Sequence, residues 1–379
     1  MTLRRGIGLL LIPFSLIWGV VAGMRRLFFE ITGRRQAVGT ELGVTTWVIG
    51  NITVGGTGKT PLMIALCRRI MEKGNGMRLG VLSRGYGRED RRYGFQWVDS
   101  RVPGAVGLYG DEPVEIQRAL AEYGEGIEVA VCGDRVEGVR RMVTEKGLEV
   151  LLLDDGMQHL PLRADGYVMV VDFNRQPQDD FCMPGGNLRE FGFASEKVSW
   201  VVVNKCSMDV LEGEKARLLK QRLSPYLKKE LRDDFENRVL LTYEQVHSQW
   251  VLGDDLEDKA AFGLLGIASG ERILRNWKNI DKVVGGLVFG DHHLFTREEM
   301  EGVLEQMRIV GAERLITTRK DWMRLDALLD NGDGSLRKEF EERGIAIEIQ
   351  WTEPAMLDEG EWDGIVMALM GGEERNNGV

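Results

Sequence analysis

Val54-Gly55-Gly56-Thr57-Gly58-Lys59-Thr60-Pro61 stands between an apolar run, Thr45 to Ile52 (TTWVIGNI), and a helical pattern from Leu62 to Ile70. The apolar run reads as a buried strand, and Pro61 falls at an early helical position where its missing N–H does no harm. Strand, glycine loop, Lys-Thr and helix together describe a phosphate-binding P-loop. Small residues let successive backbone N–H groups curl around phosphate oxygens, and the helix N-terminus adds partial positive charge. The expected cradle is Thr53, Val54, Gly55, Gly56, Thr57 and Gly58, with Lys59 reaching the β- and γ-phosphates and the Thr60 hydroxyl a ligand for Mg²⁺. Thr53 holds the place where the usual pattern opens with Gly.

The chain has 379 residues, enough for two domains that each bury a core. Its formal net charge of −10 argues against nucleic acid as a partner. Cys67, Cys132, Cys182 and Cys206 lack metal-ligand spacing and disulfide-scaffold density, and they fit core positions in a reducing compartment. The end from Gly371 to Val379 reads as frayed.

From Gly6 to Gly23 (GIGLLLIPFSLIWGVVAG) runs an uncharged stretch near the lower limit for spanning a bilayer. Arg4 and Arg5 precede it, and Arg25, Arg26, Arg34 and Arg35 follow. A cleaved signal peptide would export a nucleotide site to a compartment without ATP, and a buried core helix fits poorly with a Pro and few polar positions. A membrane anchor is the favoured reading, and the denser arginine cluster after it keeps the remainder in the cytoplasm.

Beyond the anchor, short apolar runs alternate with helical patterns: Leu79 to Leu82, Val129 to Cys132, Val150 to Leu153, Tyr167 to Val171 and Trp200 to Val203. Unbroken hydrophobicity predicts strands covered on both faces, as in a doubly wound, mostly parallel sheet. Met208 to Arg238 is charged and mostly helical, broken at Pro225. A second alternation follows at Phe262 to Ile267, Val284 to Phe289, Arg314 to Thr317 and Ile345 to Gln350. The expected organisation is an α/β protein of two α/β/α domains with an N-terminal membrane helix. Residues 1–28 form the anchor and its flank, 29–245 the P-loop domain and 246–379 a smaller C-terminal domain.

Val150-Leu151-Leu152-Leu153-Asp154-Asp155 is an apolar strand ending in two carboxylates, the place for the acidic metal-side residue of a P-loop protein. Adjacent carboxylates repel unless a cation sits there, and Mg²⁺ with a nucleotide supplies one. Gly156-Met157-Gln158-His159 then sets two polar side chains beside the phosphates. In Gly110-Asp111-Glu112-Pro113, Asp111 serves either as a helix cap or as a base near an acceptor hydroxyl. Asp291-His292-His293 resembles a metal site at first sight. Adjacent histidines do not readily face one ion, however, and a catalytic His held by an Asp is the better reading. Arg84 and Arg88 follow a strand and could read an anionic substrate group. Asn204-Lys205 matches the start of the guanine-reading Asn-Lys-x-Asp, but Ser207 stands where the Asp belongs.

In order along the chain these motifs resemble the tetraacyldisaccharide 4'-kinases of lipid A biosynthesis. The resemblance is carried by Gly55 to Pro61, Ser83-Arg84-Gly85-Tyr86, Gly110 to Pro113, Asp154 to His159, Leu188-Arg189-Glu190, Gly266-Ile267-Ala268, Asp291-His292-His293 and Thr318-Arg319-Lys320-Asp321. It spans most of the chain, and the Asp-Asp-Gly-x-Gln-His run is its most specific part. Met157 stands for the family's frequent Phe, and Asn204-Lys205 is unusual for it. The resemblance implies transfer of the γ-phosphoryl group of ATP to the 4'-hydroxyl of a lipid-linked disaccharide 1-phosphate. The reaction would run with Mg²⁺ at the cytoplasmic face of the inner membrane of a Gram-negative-type bacterium. It also implies that Asp111 and His292 activate the sugar hydroxyl, that Lys59 and Thr60 hold the phosphates, and that Thr60, Asp155, Gln158 and Glu190 surround the metal. The glycolipid and the membrane lipid are the expected partners, with no obligate protein partner. The alternative is a membrane-tethered P-loop GTPase or metallochaperone acting on a protein partner.

Lys59→Ala is expected to abolish turnover by removing charge from the β/γ-phosphates; a near-normal kcat with ATP would show the P-loop reading to be wrong.

Overall fold

A continuous hydrophobic strand must be covered on both faces, and the chain achieves this twice. The computed structural model describes residues 2–88, 94–102, 104–192, 197–253, 256–267, 270–280, 282–330 and 334–371. Ala268 of the expected Gly266-Ile267-Ala268 run, and the end beyond Gly371, lie outside them. The first unit is built on β1 (Thr45–Gly50), β2 (Leu79–Ser83), β3 (Gln96–Trp97), β4 (Ile127–Val131), β5 (Val150–Asp154), β6 (Gly166–Asp172), β7 (Trp200–Asn204) and β8 (Val239–Leu241). Among the described residues they form one sheet in the order β3-β4-β2-β5-β1-β6-β7-β8, parallel except for β3. Every residue of β1, β2, β5, β6 and β7 is buried, as the sequence pattern requires.

The second unit is built on β9 (Tyr243–Leu252), β10 (Ala261–Leu265), β11 (Val283–Val288), β12 (Arg314–Thr318) and β13 (Ala346–Ala355), in the order β11-β10-β12-β13-β9. It too is parallel, except that β9 runs antiparallel to β13. Only Thr242 separates β8 in the first sheet from β9 in the second. The expected helical charged region holds the Gly213–Leu223 helix, followed by a single 3₁₀ turn at Ser224–Tyr226 that contains Pro225.

Among the described residues no helix is long and apolar enough to cross a membrane, so of the expected membrane helix the structure shows a long helix and no span. The Thr2–Ile31 helix instead commits one stripe to the protein. Ser15, Gly19 and Arg26 lie on that stripe. The Ser15 hydroxyl accepts from Gly185 N at 2.8 Å, and Arg26 is buried against Glu190. A Cβ on Gly19 would lie 2.2 Å from the Phe191 ring, so only glycine allows this approach. The opposite side leaves Phe14, Ile17, Val21, Met24 and Phe28 exposed.

The Trp362–Leu369 helix returns to the first unit and packs on the Lys59–Lys73 helix that follows the P-loop. Trp362 is 1% exposed, and the Arg69 guanidinium lies 4.3 Å from its ring centroid. Emptying this site should cost about 3–5 kcal/mol. Trp362→Ala is therefore expected to lower the urea midpoint of the P-loop unit and to weaken ATP binding as the helix beneath the loop loosens. An unchanged midpoint would remove the terminal helix from that core.

Candidate active site

β1 and β5 are neighbours in parallel register, with Ile49 opposite Asp154, so the P-loop and the carboxylate pair emerge side by side at the carboxyl edge of the sheet. Gly58 caps the Lys59–Lys73 helix at φ +84°, and a Cβ there would meet the Asn204 amide at 2.6 Å. Thr53, the departure from the usual pattern, is buried. Its hydroxyl accepts from Asn51 Nδ2 at 3.2 Å, and the same amide reaches Thr57 Oγ1 at 3.1 Å. The threonine thus ties the entry of the loop to its middle. Thr60 is buried at the first helical turn, and Lys59 Nζ lies 3.9 Å from Asp155 Oδ1.

Asn204 and Lys205 do not face outward to read a base. Asn204 Nδ2 donates to the carbonyls of Thr57 (3.0 Å) and Gly58 (3.2 Å). Lys205 Nζ donates to Gly56 O at 2.7 Å and to Asp172 Oδ2 at 2.8 Å. They brace the P-loop through its carbonyls. The sequence signal was present in Val201-Val202-Val203-Asn204-Lys205 at a strand end, but its target could not be read there.

A second brace carries the metal-side candidates. Val54 N donates to Asn187 O (2.8 Å) and Arg189 N to Ile52 O (2.8 Å), which sets Arg189-Glu190 against the P-loop entry. Arg189 Nη1 reaches both Asp155 oxygens at 3.0 Å and Gln158 Oε1 at 2.9 Å. Gln158 Nε2 donates to Glu190 Oε1 at 3.1 Å. Both Glu190 oxygens are also taken by Arg26, at 3.1 and 2.9 Å. Glu190 is thus buried and neutralised from the N-terminal helix, while Asp155 stays partly exposed to the cleft. Asp154 accepts from Ser83 Oγ at 3.1 Å through Oδ2, and its buried Oδ1 has no hydrogen-bond partner.

The two units face each other across a cleft of about 1230 Å³. The P-loop, Arg84, Tyr86, Asp155 and His159 line it on one side, and His292, Lys320, Arg324 and Trp351 on the other. Arg88 turns away: it is buried and donates to Gln96 Oε1 at 3.3 Å. Burial, then the charge of Arg135 with those of Arg84 and Arg25, pushes the His159 imidazole down to about 4, so it is neutral at physiological pH.

Asp111 and His292 meet across the seam, with His292 Nδ1 2.7 Å from Asp111 Oδ2. Asp111 is no helix cap: Gly110 occupies that position, and the Asp111 carboxylate leaves the helix for the other unit. A Cβ on Gly110 would lie 2.4 Å from Tyr86 O, so the glycine fixes the Asp111 turn against the Tyr86 loop. Burial alone would raise the Asp111 carboxyl, but the charge and hydrogen bond of Arg324, and then His292, bring it below the usual range. His293 points elsewhere, to Glu299 at 3.0 Å and onto the Phe289 ring. Among the described residues no group of three or more His, Cys, Asp or Glu could hold a metal. Asp155, Lys205 and His292 each adopt a positive φ, and all three line the cleft. Such backbone conformations cost about 1–3 kcal/mol in non-glycine residues and gather at functional sites.

Known proteins share this sequence pattern and fold. A family model described as tetraacyldisaccharide-1-P 4'-kinase (LpxK) matches residues 7–352. The tetraacyldisaccharide 4'-kinase of Phocaeicola vulgatus is 30% identical over 329 residues, 84% of each chain. That of Bacteroides fragilis is 31% identical over 83% of this chain and 82% of its own. The crystal structure of LpxK from Aquifex aeolicus in complex with ATP shares the fold, with a TM-score of 0.65 at 20% identity over 96% of this chain and 99% of that one.

Burial, with Glu112 and Asp155 adding to it, raises the Asp154 carboxyl above its ordinary value. A raised folded-state value means the native state resists ionisation. Stability is therefore full below the unfolded value, near about 3.9, and falls as pH rises through the folded one. Asp154→Asn should raise the Tm of the nucleotide-free protein by about 2–4 °C at pH 8, the shift expected for about 1 kcal/mol. The gain should shrink toward pH 5, while activity falls. An equal gain at both pH values, or a loss at pH 8, would contradict this account.

Proposed function

Because the chain belongs to the tetraacyldisaccharide-1-P 4'-kinase family, we propose that its interdomain cleft activates the sugar hydroxyl with the Asp111–His292 pair while the P-loop holds the nucleotide. The enzyme is a kinase that transfers the γ-phosphoryl group of ATP to the 4'-hydroxyl of a tetraacyldisaccharide 1-phosphate precursor of lipid A. The observation that carries the residue assignment is the 2.7 Å contact between Asp111 and His292, made across the seam of a cleft that the P-loop also lines.

The acceptor oxygen attacks the γ-phosphorus, the bond from that phosphorus to the β,γ-bridging oxygen breaks, and ADP leaves. The hydroxyl proton passes to the Asp111–His292 pair. Phosphoryl transfer asks mainly for positioning and charge neutralisation, which Lys59, the loop N–H groups and the helix N-terminus supply. The oxygen donors Thr60 and Asp155, with the unpartnered Oδ1 of buried Asp154 behind them, fit a hard divalent cation. Mg²⁺ held there would neutralise the β- and γ-oxygens. Gln158 and Glu190 set the surroundings through their bonds to Arg189 and Arg26. Arg84 and Arg25 lie near neutral His159 and offer positive charge to the 1-phosphate, while buried Arg135 is held by the carbonyls of Cys132 and Asp154. The exposed apolar side of the Thr2–Ile31 helix supports an enzyme that lies on the cytoplasmic face of the inner membrane, where its acylated substrate resides.

The test is phosphate transfer from ATP and from GTP, with and without the glycolipid acceptor, in wild type and in Asp111→Ala, His292→Ala and the double variant. Loss of either member of an acid–base pair costs about 10²- to 10⁴-fold. If the two act as a unit, the double variant loses little more than the worse single one, with ATP affinity nearly unchanged. Strictly multiplicative losses, or collapse of ATP binding in a single variant, would return Asp111 and His292 to structural roles.

A further inference from the structure

Arg324 lies on the Arg319–Asp330 helix of the second unit, its side chain 1% exposed. Nη1 donates to Gly266 O at 3.0 Å and to Asp321 Oδ1 at 3.1 Å. Nη2 donates to Asp111 Oδ2, the same oxygen that faces His292 Nδ1, and lies 3.5 Å from that nitrogen. Asp321 is fully buried and is fixed by Thr318 Oγ1 at 2.9 Å, so the guanidinium cannot turn away. One rigid, permanently charged fork therefore holds the carboxylate of the hydroxyl-activating pair from the opposite unit.

Two demands meet at this oxygen. His292 needs Asp111 in a fixed orientation, so that Nδ1 faces the carboxylate and Nε2, with Asp291 Oδ2 3.7 Å away, is turned to the acceptor proton. A lone buried carboxylate beside imidazole would also hold a proton on the pair too firmly for a base working near neutrality. A buried cation on the same oxygen meets both demands.

We infer that Arg324 is the positioning residue of the Asp111–His292 pair, clamping Asp111 Oδ2 across the seam and setting the pH above which the pair is free to take the acceptor proton. This rests on the reading of that pair as the base. Other charged or titratable groups surround the pair. Asp321 and Lys320 come from the Arg324 helix, and Glu112 and Glu115 from the helix of Asp111 itself. Asp291, from the loop after β11, and Tyr86, from the loop after β2, lie instead against His292, with Asp291 Oδ2 3.7 Å from Nε2 and the Tyr86 and His292 ring centroids 6.3 Å apart. Lys320 lies 3.8 Å from Glu115 Oε2 and so is partly balanced within that group. Among the described arginines and lysines, Arg324 is the one in contact with the Asp111 carboxylate.

The decisive measurement is the pH dependence of kcat and of the KM for ATP, on the full chain with ATP, Mg²⁺ and tetraacyldisaccharide 1-phosphate. The variants are Arg324→Met, Arg324→Gln, Arg324→Lys, Asp111→Asn and His292→Gln, each checked by thermal melt. Arg324→Met and Arg324→Gln should lower kcat at pH 7 by about 10- to 100-fold, the scale of a lost positioning contact. The KM for ATP should stay within about twofold, because ATP is held by the P-loop. The acid limb should move up by about one pH unit, the lower end of what a lost neighbouring charge produces. Part of the lost rate then returns at pH 9. Arg324→Lys keeps the charge without the fork, so it should leave the limb in place while lowering kcat.

A loss of kcat that is the same at every pH, or a near-normal kcat in both neutral variants, would overturn the inference. If neither neutral variant folds, Arg324→Lys decides: an unmoved limb with reduced kcat supports the inference, and a limb displaced by a unit overturns it. Near-wild-type kcat in Asp111→Asn and His292→Gln would overturn the base reading instead, a result recognisable because Arg324 is intact in both.

Discussion

One buried carboxylate ties the two halves of this protein together at the cleft. Asp111 starts a helix of the first unit, but its Oδ2 is shared by His292 and Arg324 of the second. Burying a carboxylate is costly unless charge and hydrogen bonds replace the lost water. Here both replacements come from across the seam. The pairing therefore exists only when the units are closed on one another, and closure is also what excludes water from phosphoryl transfer. Arg68 to Glu353 at 2.6 Å reinforces the same closed arrangement beyond the cleft.

The P-loop depends on an analogous constraint within the first unit. Backbone N–H groups can converge on phosphate only if the carbonyls of the same peptides are satisfied on the other side. Asn204 and Lys205 accept that task at Gly56, Thr57 and Gly58, and Asp172 in turn anchors Lys205. What looks like a fragment of a guanine-reading motif is thus the scaffold of the phosphate cradle. The carboxylates on the opposite side of the loop remain in mutual repulsion, with buried Asp154 next to Asp155. Function at this edge is held at some expense of stability.

The N-terminal helix joins this network rather than standing apart from it. Arg26 neutralises Glu190, Glu190 accepts from Gln158, and Arg189 spans Gln158 and Asp155. Trp18 Nε1 also donates to Arg189 O at 2.9 Å. The apolar side left exposed is turned away from the body, so one helix has an exposed apolar face and a face for the nucleotide edge.

The P-loop, the strand ending in Asp154-Asp155, and the parallel sheets were all legible in the sequence, because each is a local pattern. Glycines next to Lys-Thr, or an unbroken apolar run, have the same physical meaning wherever they occur. The ordered motifs also allowed Asp111 and His292 to be paired by resemblance. The partners of the charged groups were not legible. Arg26 meets Glu190 across 164 residues, Lys205 meets Gly56 across 149, and Arg324 meets Asp111 across 213. The uncharged N-terminal run read as a membrane anchor because hydropathy counts residues and not faces, and a stripe of Ser15, Gly19 and Arg26 has meaning only once something packs on it. The sequence by itself determined which chemistry the chain carries and which strands build it. Only the tertiary structure decided which charges neutralise which, because the energy of a buried charge depends on neighbours that chain order does not name.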